Sequence, residues 1–113
     1  MKISEQLLQC AIEVRRGWCQ GRAFIGDNGC SIGIIYRVGG PTTTYVTVGM
    51  LKGYLKTAIN QSSIVAWNDT CTQTQENVAQ AFELAAILAE QDEARIGVSD
   101  AMPECVEVAG IMQ

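Results

Sequence analysis

Apolar residues recur along much of this chain at the spacing of a helix face, and that pattern predicts most of its elements. From Ile3, the positions Leu7, Leu8, Ala11 and Val14 follow one another at helical intervals until Gly17 stops them. Ser4 reads as the amino-terminal cap, Ile3 as a staple against Leu8, and Arg15 and Arg16 complement the negative end of the helix. A second amphipathic stretch follows Pro41, with Val48, Leu51, Leu55 and Ala58 on one face, supported by Tyr54 and Ile59. Gly49 and Gly53 weaken it by about 1 kcal/mol each relative to alanine. Asn60 to Ser63 break it, and Ile64 to Trp67 give one further apolar turn. The third helix is the strongest: Thr72 to Gln75 fit a capping box, Val78, Ala81, Phe82, Ala85 and Leu88 with Leu84 form its stripe, and no glycine falls between Thr72 and Glu93.

Residues 18–40 carry two conflicting signals. Asp27-Asn28-Gly29 is a turn sequence, and Ile34, Ile35, Tyr36 and Val38 favour strands, which together predict a short hairpin. The same stretch reads as a short buried helix if Ser31 caps it and Gly39-Gly40 end it. The fold expected is therefore mainly α, a small helical domain of three to four helices with a short β-hairpin near residues 22–36 as the option. Residues 1–90 form the expected helix-rich domain, and 91–113 an acidic carboxyl-terminal extension of it.

Composition narrows the chemistry. With 113 residues, 48% hydrophobic and 18% charged, the chain can bury a core, yet no apolar run approaches the roughly 20 residues of a membrane span. The amino terminus has no secretory pattern, so a cytoplasmic location is expected and no membrane partner. The net charge of -4 is uneven: residues 83–113 hold seven acids and one base, whereas residues 1–82 hold five acids and seven bases. That balance argues against duplex nucleic acid, whose binding rests on many phosphate-neutralising cations. Histidine is absent, which removes the usual general base and metal ligand. The five cysteines, Cys10, Cys19, Cys30, Cys71 and Cys105, are odd in number and contain no Cys-x-x-Cys pair, so no metal, no cofactor and no disulfide framework is expected. Asp27-x-Gly29 lacks the remaining oxygens of a calcium loop, and Gly39-Gly40-Pro41 lacks the Gly-Lys-Ser/Thr end of a phosphate loop.

Several motifs then carry a resemblance. Gly17-Trp18-x-x-Gly21, Asp27-x-Gly29-Cys30-x-Ile32-Gly33, Trp67-Asn68-Asp69 and Thr74-x-x-Asn77-Val78 together resemble a family of small bacterial and phage proteins without an assigned function. The likeness runs from about Glu5 to Ala89, and Trp67-Asn68-Asp69 is its most specific part. It implies a helix starting after Cys30, and a host-cytoplasm location if the chain is phage-encoded. It departs at Ile34-Ile35-Tyr36, where the family is alanine-rich, and in the tail beyond Ala89.

Two segments hold the candidate site. Trp18 and Arg22 offer a stacking face and a guanidinium fork, while Trp67, Asn68 and Asp69 offer a second aromatic with short polar side chains. Each also has a plain structural reading, in which the tryptophans anchor loops, Asn68 and Asp69 turn the chain, and Arg22 is solvated. The expected function is a small binding module, a phage accessory or anti-defence protein capturing an anionic, nucleotide-like molecule or a host protein without transforming it. No catalytic residue is assigned. One alternative is a hydrolase or transferase using Cys30, Asp27 or Asp69, and another is a homo-oligomeric structural protein associating through Val106, Val108, Ile111 and Met112.

Overall fold

In the computed structural model, which describes residues 1–40 and 45–95, the first apolar face is buried as its spacing requires: Leu7, Cys10, Ala11 and Val14 all lie in the core. They belong to α1 (Ile3–Arg16). Next comes a two-stranded hairpin, β1 (Phe24–Ile25) paired antiparallel with β2 (Asn28–Gly29) in the register Phe24 to Gly29 and Ile25 to Asn28. Four further helices follow: α2 (Ser31–Gly39), α3 (Tyr45–Ile59), the one-turn α4 (Ile64–Asn68) and α5 (Gln75–Arg95). The fold is mainly α, with five helices among the described residues where three to four were expected; the turn signal at 27–29 is realised as a hairpin at 24–29, whereas Ile34, Ile35, Tyr36 and Val38, read as strand formers, lie in the helix α2.

The longest helix organises the rest. Antiparallel to α5, α1 is fastened to it near both ends: Ser4 Oγ donates to Glu93 Oε1 at 2.6 Å, and Arg15 reaches Glu76 at 2.6 Å and Glu83 at 2.7 Å. The Arg15 guanidinium holds the Glu76 carboxyl below its ordinary range. On another side of α5, α3 contributes Val48, Leu51 and Leu55 to the core, and Tyr54 Oη donates to Asp92 at 2.7 Å. Because α5 has neighbours on two sides, its buried surface is wider than one stripe. Ala79, Ala86 and Ala89 join Val78, Phe82 and Ala85, whereas Leu84 is 45% exposed.

The capping assignments change in three places. At α1 the cap position is Lys2, whose N–H donates to Glu5 Oε1 at 2.8 Å, while Ser4 lies within the helix, and Leu8 is exposed. At α2 the cap is Cys30, its sulfur accepting from Gly33 N–H at 3.4 Å. At α5 the Thr74 hydroxyl accepts from Asn77 N–H at 3.1 Å, which places the cap two residues later than Thr72. Gln75 turns instead to the end of α1, donating to Val14 O at 2.7 Å. Val106, Val108, Ile111, Met112 and Cys105 lie outside the described residues.

Candidate functional site

The two segments singled out in the sequence meet. Leaving α1, residues 17–19 run beside β2: Gly29 N–H donates to Gly17 O and Cys19 N–H to Gly29 O, both at 3.1 Å, making Trp18 and Gly29 bridge partners in a parallel pairing. The chain then passes Gly21, at φ +84°, into a hairpin whose turn contains Gly26 at φ +61°, both in the left-handed region that favours glycine. It closes where Cys30 N–H donates to Ala23 O at 2.9 Å. Against this loop stands the end of α4.

At the centre is Asn68, 1% exposed. Its Oδ1 accepts from Trp18 Nε1 at 2.8 Å, from Ser31 N–H at 2.9 Å and from the Ser31 hydroxyl at 2.6 Å. Its Nδ2 donates to Cys19 O at 3.1 Å and to Asp69 Oδ1 at 2.9 Å. Asp69 Oδ1 in turn accepts from Gly21 N–H at 3.0 Å, and Gln20 Nε2 donates to Asn68 O and Thr70 O, each at 2.9 Å. Every polar atom of the Asn68 side chain is thus engaged within the protein. One carboxamide ties the loop after α1, the start of α2 and the end of α4 into a single unit.

This arrangement divides the predicted residues. Trp18, Asn68 and Asp69 share one network, and their bonding groups face one another. Trp67 is half-buried and packs against the core. Arg22 lies exposed on the same loop and forms no ion pair among the described residues. Beside it the hairpin presents Phe24, 41% exposed, and Ile25, 51% exposed. Arg37 of α2 stacks 4.8 Å above the Phe24 ring, donates to Asp27 O at 2.9 Å and reaches Glu13 at 3.4 Å, locking the hairpin to α1 and α2. Gly33 makes that fit, since any side chain there would strike Ala23 O and the Phe24 ring. One residue before Arg37, the exposed Tyr36 ring of α2 lies 5.0 Å from Lys52 of α3.

Residues 17–59 contain four bases, Arg22, Arg37, Lys52 and Lys56, against the single acid Asp27. The segment that spans the loop, α2 and α3 is therefore net cationic, whereas α5 is acidic. Gln20 and Arg37 escaped sequence reading, and the sequence marks Ser31 only as a helix cap, not as a partner of Asn68. Ser31 left one trace, a hydroxyl in the otherwise apolar run Cys30 to Ile35, which burial obliges to find a partner.

A family model for a family of unknown function, DUF6197, matches residues 5–88. The chain belongs to that family. No curated protein and no solved structure matches it.

Two thiols of this DUF6197 chain, Cys10 and Cys19, sit in settings that resist ionisation. Burial, with Glu13 adding to it, pushes Cys10 up to about 12, and Cys19 is raised by burial and then by neighbouring Cys30. Cys30 is 8% exposed, its sulfur engaged with Gly33. No group of three or more Cys, Asp or Glu side chains among the described residues could hold a metal ion. No helix among them is long and apolar enough to cross a membrane. A cleft of about 160 Å³ opens between α1 and α5, lined by Lys2, Ser4, Leu8, Ile87, Glu90 and Glu93. It is smaller than the roughly 300 Å³ at which small-molecule pockets begin, and Glu93 is already bonded to Ser4.

Proposed function

We propose that this protein is a non-catalytic binding module that captures an anionic partner, a nucleotide-like molecule or an acidic patch of a host protein, on the face carrying Arg22. The observation that supports this reading best is the saturated Asn68 network. It fixes a surface loop from beneath, and that loop presents a cation, an aromatic ring and an aliphatic side chain to solvent. Rigid loops lose little conformational freedom on binding, which favours recognition. In this reading Trp18, Trp67 and Asn68 form the foundation, and Arg22, with Asp69 at its edge, makes the contact. The likeness to small bacterial and phage proteins supports a setting in the host cytoplasm and an accessory role there.

The enzymatic alternative needs Cys30, Asp27 or Asp69 to reach a substrate. Cys30 caps α2 through its sulfur and has no histidine to serve as its base, and Asp69 accepts from the loop backbone, so neither favours it. Self-association draws on exposed Leu8, Ile12, Leu84 and Ile87 of α1 and α5, each 45–50% exposed. Sedimentation of the purified protein at several concentrations separates that reading from the first.

The test of the binding reading is a native mass spectrum of freshly purified protein, followed by titration of any retained species against Arg22→Ala. Loss of a charge-assisted hydrogen bond should weaken an anionic ligand by about 1.5 to 3 kcal/mol, with the melting temperature unchanged. Unaltered affinity in both Arg22→Ala and Asp69→Ala would remove this face as the site.

A further inference from the structure

Two of the five cysteines directly follow a pair of bridged residues. Trp18 and Gly29 form an isolated parallel bridge, and Cys19 and Cys30 are the residues that follow it on the two segments, which strand alternation turns to the face opposite to Trp18. Residues that directly follow a bridge pair lie about 5 Å apart, and the backbone at these two is held from two directions. On one, Ala23 O accepts from Cys30 N–H at 2.9 Å and lies 4.0 Å from Cys19 Sγ. On the other, Asn68 bonds both Cys19 O and Ser31 N–H. A Cα separation of about 5 Å falls inside the window that a disulfide spans without backbone movement. Both residues keep slight access to solvent, 7% for Cys19 and 8% for Cys30. Capping α2 does not require sulfur at residue 30, because a serine or asparagine oxygen caps better.

We propose that Cys19 and Cys30 are a redox modification site, forming a reversible intramolecular disulfide by exchange with a small-molecule disulfide of the glutathione type. The thiolate of one cysteine attacks a sulfur of the oxidised glutathione, breaking its S–S bond and expelling one glutathione thiolate. The second cysteine's thiolate then attacks the protein sulfur of the mixed disulfide and expels the other. Two protein S–H bonds are lost and one S–S bond forms, while the glutathione disulfide is reduced to two thiols that carry off both protons. The new bond joins the loop after α1 to the first residue before α2, stapling from inside the loop that Asn68 holds from outside.

The full chain carrying Cys71→Ser and Cys105→Ser, which removes the exposed thiol and the tail thiol, is incubated with oxidised glutathione and weighed intact. The expected product has lost the mass of two hydrogens and retains no glutathione. Trypsin without reductant, cutting after Arg16, Arg22 and Arg37, should release residues 17–22 joined to residues 23–37. Adding Cys30→Ser should halt the reaction at a single glutathione adduct on Cys19. The unsubstituted chain should yield the same linked peptides, which guards against a folding defect in the variants. Stable glutathione adducts with no linked peptide, or a link through Cys10, would overturn the assignment.

Discussion

Replacing Asn68 by alanine removes five hydrogen bonds at once and strands several of their partners. Ser31 is fully buried and Cys19 is 7% exposed, so the Ser31 N–H and the Cys19 carbonyl would lose their Asn68 partner away from solvent. Each buried group left unsatisfied costs about 1 to 3 kcal/mol, and the freed Ser31 hydroxyl adds to this, for a total of about 3 to 5 kcal/mol. Set against the roughly 5 to 15 kcal/mol of a typical domain, that is a large fraction. Urea or thermal unfolding followed by circular dichroism should show a midpoint roughly 15 °C lower, or no cooperative transition. Asn68→Asp makes the test sharper because it keeps the shape and the accepting oxygen. Its second oxygen would face the Cys19 carbonyl and the Asp69 carboxylate, where Nδ2 had donated to both. It too should be strongly destabilised at neutral pH. Its new carboxyl, buried beside Asp69, would titrate above the ordinary range, so acidification should restore part of the loss. A destabilisation under about 1 kcal/mol for Asn68→Ala would refute the role of this side chain as the tie between the loop, α2 and α4.

Gly49 and Gly53 lie on the exposed side of α3 with nothing near a would-be Cβ, so alanine at either should raise stability by about 0.5 to 1 kcal/mol in denaturant titrations. The Cys10 thiol moves from an ordinary 9.0 to about 12 in the folded protein, which therefore holds its proton where the unfolded chain has released it. Stability should fall as pH rises from 9.0 to about 12, by up to about 4 kcal/mol from this group, and Cys10→Ala should fall less across the same window.

Periodicity made α1, α3 and α5 legible, because Leu7, Leu51 and Phe82 sit in runs whose apolar spacing matches a single helix face. It could not decide residues 18–40, where turn residues and β-branched residues serve two elements separated by a single cysteine. What joins them is a close approach, Phe24 over Gly33, and no local pattern encodes it. The second buried side of α5 was equally hidden, since Ala79, Ala86 and Ala89 are small enough to fit either surface or interior. In the site, tryptophan, asparagine and aspartate announced themselves as unusual neighbours. Their partners, 37 to 50 residues away along the chain, were visible only once the chain was folded.

The fastening of α1 to α5 also constrains the order in which the chain can fold. Leu7, Cys10, Ala11 and Val14 have their main covering surface on a helix that begins sixty residues after Gln75's partner Arg15. During synthesis α1 leaves the ribosome before α5, so the part of its apolar face that α5 covers stays open until α5 follows. The hairpin, α2, α3 and α4 lie between these two helices along the chain. Folding must therefore close a long loop before the core is complete, which favours a slower, more all-or-none transition than the helical content alone suggests.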